Sequence, residues 1–230
     1  MKNLILCSVL VCFFSSCSTD SEINQSEPFS NADAKSINGL ALPMNSSNPF
    51  DYKGKIYYDE LSSYYQDHQI PNSTFELNNQ IKFISMKMGY GRFSHKNIIS
   101  FNDSIVDFIM SDPDNMMITI VQNSLLASAS KSSLANFLQG LLLKRELEFG
   151  VKYDYVVSYE DSIIENSNIG EDDKDTILTV TSISRYSLYS ASERKDRDWE
   201  SSAGNKKANP IFSPDEIAFT SIIVLLKNIL

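Results

Sequence analysis

Two histidines, His68 and His95, limit the acid–base and zinc chemistry open to this chain of 230 residues. Neither stands in a paired spacing such as H-E-x-x-H, which would set two ring nitrogens on one helix face around a metal. Asp67 precedes the first, and Asp103 follows the second eight residues later. Both rings fall beside predicted loops, where a solvated imidazole is the ordinary case. Carboxylates gather at Glu171-Asp172-Asp173-Lys174-Asp175, and hard oxygens of that kind suit calcium. Gly170 precedes these acids instead of lying among them, and the D-x-D-x-D-G alternation is missing, so the run reads as a solvated stretch before a helix. No G-x-S-x-G elbow is present, and Gly89-Tyr90-Gly91 alone is a turn, not a phosphate cradle. Glu193 to Glu200 mixes charges around Trp199, the single tryptophan. Exposed Trp and Arg are typical partner anchors, but a salt-bridged end with Trp199 packed inward is the simpler reading. The sequence thus assigns no catalytic residue, no metal ligand and no cofactor site.

The charge balance narrows the partners. Acids outnumber bases 29 to 20, a net charge of −9, so the chain lacks the clustered Lys and Arg that binding to nucleic acid requires. With 42% apolar and 11% aromatic residues it is neither disordered nor collagen-like, and it is not a polytopic membrane protein.

The first seventeen residues carry the strongest local pattern. Lys2 gives a short positive start, and Leu4 to Phe14 is an apolar run broken only by Cys7, Ser8 and Cys12. Ser15-Ser16-Cys17 then puts small residues before a cysteine, as signal-peptide cleavage requires. The run is too short to span a bilayer. With Phe14 where Leu is usual, this segment resembles the lipobox of bacterial lipoproteins. The resemblance implies a signal peptide over 1–16, cleavage before Cys17, and acyl chains such as palmitate on Cys17. Several acyl chains hold a protein firmly where one alone is marginal. Cys7 and Cys12 would leave with the signal peptide and Cys17 would carry lipid, so disulfides, thiolate zinc sites and cysteine nucleophiles are not expected in the mature chain. Asp20 and Glu22, just after Cys17, resemble the surface-export signal of lipoproteins from the Bacteroidota. That implies an outer-membrane lipoprotein, with the surface face favoured over the periplasmic one.

From Cys17 to Ser47 the chain is polar and without helical or strand periodicity, which reads as a lipidated flexible tether over 17–47. The domain over 48–230 shows mostly helical patterning. Apolar residues recur on one face over Lys55 to Gln66. Ser73-Thr74-Phe75-Glu76 has the spacing of a capping box and opens a segment ended by Gly89 and Gly91. A third helix is expected from Lys96 to Met110. Asp112-Pro113 restarts the chain as a helix running on to Leu126. Further helices are expected from Ser132 or Ser133 to Arg145 and from Tyr153 to Glu165. Over Thr176 to Tyr189, β-branched content suggests a strand, but Ile177, Val180, Ile183 and Ser187 fit a helical stripe. A polar loop is expected over Glu193 to Asn209, and Ser213-Pro214-Asp215-Glu216 then starts a last apolar helix. At roughly 1.5 Å per residue that helix is shorter than a bilayer core, so it reads as a buried central helix. The expectation is all-α: an irregular helical bundle of about six to eight helices behind a signal peptide and a tether.

Asn48-Pro49-Phe50-Asp51-Tyr52-Lys53-Gly54 is the most distinctive string after Cys17. It resembles an N-P-[YF]-D-Y-x-G-x-x-H-N pattern near the start of uncharacterised secreted and lipoprotein-type proteins of the Bacteroidota, with Tyr57-Tyr58 in place of His-Asn. Ser184-Arg185-Tyr186-Ser187 is a second point of similarity. The resemblance implies location and architecture. The functional expectation is a lipid-anchored cell-envelope protein acting as a non-catalytic binding module for an envelope protein, a peptide or a glycan. The rivals are a hydrolase of wall or extracellular polymer using carboxylates or His68 or His95, and a toxin-neutralising or membrane-active protein relying on residues 217–230.

Overall fold

Helix signals in the sequence become helices at each capped start. A computed structural model describes residues 42–89, 103–202 and 212–230, with only the backbone considered over 197–202. Eight helices follow in order: α1 Asp51–Asp67, α2 Thr74–Lys87, α3 Asp103–Ser111, α4 Pro113–Gln122, α5 Ser128–Leu143, α6 Phe149–Glu165, α7 Glu171–Ser202 and α8 Pro214–Ile229. The described residues contain no strand, so the chain is all-α as its periodicity implies. The side chains of Ser73, Asp112 and Ser213 each accept a backbone N–H three residues on, at Glu76, Asn115 and Glu216. Ser213 and Glu216 complete a reciprocal capping box.

Several boundaries differ from the expected ones. The segment α5 begins at Ser128 instead of Ser132 or Ser133, and α6 begins at Phe149 instead of Tyr153. Their extended N-caps, Ala127 and Glu148, make no side-chain cap bond, so no residue type announces these starts. The segment α4 ends at Gln122, short of Leu126, and the part of the third helix before Asp103 lies outside the described residues.

The largest correction concerns α7. Thr176 to Tyr189 is helix, and the expected loop from Glu193 is also helical as far as Ser202. Glu, Arg and Lys are good helix formers, and neither Gly nor Pro interrupts the chain before Gly204. The run from Glu171 is the first turn of this helix, where acids face the positive end of the dipole. The β-branched and hydroxyl residues are accommodated by back-bonding: Thr181 Oγ1 donates to Leu178 O at 3.0 Å and Ser184 Oγ to Val180 O at 2.8 Å.

The core forms around α7 and α8, which pack on each other. On the far side of α7 lie α1 and α6, while α2, α3 and α4 pack on α8 and α5 bridges α4 and α6. Both central helices are buried on nearly every side, α7 over Ile177–Ala191 and α8 over Ile217–Leu226. A helix apolar all round belongs in such a core, and that is the fate of the apolar C-terminal run. No helix among the described residues is long and apolar enough to cross a membrane.

Small residues let α1 lie close to α7. A Cβ on Gly54 would sit 2.4 Å from Ser182 Oγ and 2.4 Å from Tyr186 Cδ2, and Gly54 N donates to Ser182 Oγ at 2.9 Å. Folded contacts also reach back before Asn48, because the carbonyls of Pro43 and Met44 and the side chain of Asn45 all have partners in α6 or α7.

Candidate functional site

The Asn48–Gly54 string and the Ser184–Ser187 string meet in space, and Glu160 of α6 joins them. Arg185, fully buried on α7, places its Nε 3.1 Å from Glu160 Oε1 and 3.0 Å from Glu160 Oε2. Its Nη2 donates to Asp51 Oδ1 at 2.7 Å, and its Nη1 donates to the Pro43 carbonyl. Glu160, also fully buried, accepts from Asn45 Nδ2 at 2.7 Å and from Asn48 Nδ2 at 2.6 Å. Asp51 further accepts from Tyr186 OH at 3.0 Å and from the Asn45 backbone N–H at 3.1 Å. Each carboxylate thus has three donors. The two asparagines are oriented in turn by their Oδ1 atoms, which accept from the N–H groups of Ser47 at 3.1 Å and Phe50 at 2.8 Å.

Physically this is a clasp. A buried ion pair stabilises only when its remaining lone pairs and protons are satisfied, and here amides, a phenol and a carbonyl satisfy them. The clasp ties the segment before α1 and the start of α1 to the middle of α6 and α7. Glu160 was not singled out in the sequence, although Val156, Glu160 and Ile163 share a buried stripe at 3-4 spacing. A carboxylate inside an apolar stripe is the signal that reveals it.

A second buried pair pins the start of α8. Lys152 Nζ donates to Asp215 Oδ1 at 3.1 Å and to the Arg145 carbonyl at 3.1 Å, and Lys195 Nζ donates to the other Asp215 oxygen. Asp215 therefore serves the helix dipole and two cations at once.

Of the two histidine candidates for catalysis, His68 lies among the described residues. His68 caps α1, with its ring stacked 4.1 Å from that of Tyr64 and its Nδ1 3.0 Å from the Tyr64 carbonyl. His95 and Cys17 lie outside the described residues, as does the side chain of Trp199. Tyr57 and Tyr58, where the resembling pattern has His-Asn, bond to Ser187 Oγ at 3.0 Å and to Glu193 Oε2 at 2.8 Å. No group of three or more His, Cys, Asp or Glu among the described residues is placed to hold a metal ion.

Phenols are prominent instead. Burial pushes Tyr65 up from 10.0 to about 12 and Tyr159 likewise to about 12. Between pH 10 and about 12 the unfolded chain releases these protons while the folded chain keeps them, so the unfolded state binds fewer protons and stability falls as pH rises. Thermal melting at pH 9 to 12 should show this decline. A melting temperature flat to pH 12 would contradict it.

One buried cation stands apart. Arg194 of α7 is only 4% exposed, its Cζ lies 5.0 Å from the Tyr65 ring centroid, and its Nε and Nη1 have no hydrogen-bond partner. Gln80 of α2, fully buried, accepts from Tyr65 OH at 2.8 Å, while its own Nε2 is unpartnered. Comparison of the chain with protein-family models, with curated proteins and with solved structures gives no match.

Proposed function

We propose that this is a lipid-anchored cell-envelope protein, held at the outer membrane through acyl chains on Cys17. Its helical domain would act as a non-catalytic binding or interaction module for another envelope protein, a peptide or a glycan. The observation that carries the binding reading is the clasp. The residues with the most distinctive spacing, Asn48, Asp51, Gly54, Arg185 and Tyr186, bond to one another, to Ser182 or to Glu160. Residues committed in this way build a rigid platform and do not present a nucleophile or a base. The anchor rests on Ser15-Ser16-Cys17 behind an apolar run, and the acids Asp20 and Glu22 favour the surface face. His68, one candidate base of the hydrolase reading, is engaged with Tyr64.

Fractionation tests the reading. The wild-type chain should partition with membranes and enter the detergent phase, and Cys17→Ala should not. Protease added to intact cells should cleave the wild-type chain if it faces outward. Release of products from wall glycan or peptide by the purified chain would contradict the non-catalytic reading.

A further inference from the structure

We propose that Arg194, Gln80 and Tyr65 form a receptor for a carboxylate group, built where side chains of α1, α2 and α7 meet. The inference rests on reading the domain as a binding module and gives its ligand a chemical class. Taking a guanidinium out of water is expensive unless it is paired, and Arg cannot shed its charge. The other fully buried cations obey this rule: Lys152 has Asp215, and Arg185 has Glu160 and Asp51. Arg194 has no carboxylate within ion-pair distance among the described residues, and two of its nitrogens have no acceptor. The Tyr65 ring, 5.0 Å away, offsets part of the charge through its π face, while Nε and Nη1 stay without an acceptor.

Gln80 repeats the pattern from a second helix. Its oxygen is committed to Tyr65 OH and its amide nitrogen has no acceptor. One tyrosine therefore contacts two buried donor groups, and Nε and Nη1 of Arg194 and Nε2 of Gln80 have no acceptor. Exchanging the oxygen and nitrogen of Gln80, an assignment made from the hydrogen-bond pattern, would supply no negative charge. What the pair lacks is an anion. One positive charge beside a neutral amide matches a monoanion, and the planar guanidinium suits the two oxygens of a carboxylate. A phosphate dianion would leave a net buried charge. Residues 90–102 and 203–211, outside the described residues, contain neither Asp nor Glu. The nearest acid after Arg194 at helical spacing is Asp198, four residues on.

The test uses the full chain and sodium acetate as the probe, against sodium chloride at equal ionic strength and against sodium phosphate. Acetate should raise the melting temperature saturably, and labelled acetate should show saturable line broadening by NMR. Arg194→Gln should weaken that binding by about tenfold or more, the usual worth of a hydrogen bond to a charged group. If Arg194→Gln does not fold, Gln80→Leu should weaken acetate binding in the same direction. Asp198→Asn should leave it unchanged. The proposal is overturned if acetate behaves as chloride does, if phosphate binds more tightly than acetate, or if Arg194→Gln retains the acetate response. It is also overturned if only Asp198→Asn responds to acetate, because the chain's own carboxylate would then fill the site. None of these outcomes bears on acylation of Cys17, so this reading and the anchored-protein reading fail separately.

Discussion

Arg185→Met should lose roughly 3–5 kcal/mol of stability, read from urea unfolding followed by far-ultraviolet circular dichroism. The cost comes less from the contacts removed than from what stays behind. Glu160 is fully buried and would be left with only two asparagine amides facing it. Asp51 would lose its guanidinium as well, but its side chain is 22% exposed and water can replace part of that interaction. Arg185→Lys should not restore stability, because one ammonium cannot reach Glu160, Asp51 and the Pro43 carbonyl at once as a planar fork does. Removing the charges together, as Arg185→Met with Glu160→Leu, should recover part of the loss. A single Arg185→Met variant as stable as wild type would mean that the clasp contributes nothing net.

Gly54→Ala should be the other large effect, at about 1–3 kcal/mol from overpacking alone. The added methyl would lie 2.4 Å from Ser182 Oγ, 2.4 Å from Tyr186 Cδ2 and 2.5 Å from the Ser182 carbonyl. These neighbours cannot turn aside. Ser182 Oγ accepts from Gly54 N and donates to the Asp51 carbonyl at 3.0 Å, and Tyr186 is held by Asp51. Relief therefore requires α1 to move away from α7, which lengthens the Arg185–Asp51 contact and couples the two sites. Gly150→Ala in α6 is the control: nothing lies within 4 Å of the added carbon, and helix propensity favours alanine there by roughly 0.5–1 kcal/mol. Equal melting temperatures for the two variants would remove the close-approach argument.

The contrast between these glycines shows what residue types reveal and what they hide. Ser73, Asp112-Pro113 and Ser213-Pro214 mark helix starts because capping is local chemistry, and each is a start in the structure. Ala127 and Glu148 give no such sign, because their helices are held by packing. The charged stretch after Glu193 reads as a loop when polarity is weighed, yet those residue types extend a helix readily once α7 is anchored in the core. Asn48, Asp51 and Arg185 are conspicuous in the sequence, but their meeting is tertiary and no spacing along the chain encodes it. Arg194 is the hardest to see. It continues the stripe of Ile183, Ser187 and Ser190 into a segment that looks solvated, and only burial turns a surface cation into an unsatisfied one.

Attachment through Cys17 is tested most directly by the mass of the chain's own N-terminal peptide. The chain isolated from cells grown with an alkyne-bearing palmitate should begin at Cys17 and carry the label, and Cys17→Ala should carry none. A chain that begins elsewhere, or equal labelling of wild type and Cys17→Ala, would contradict it.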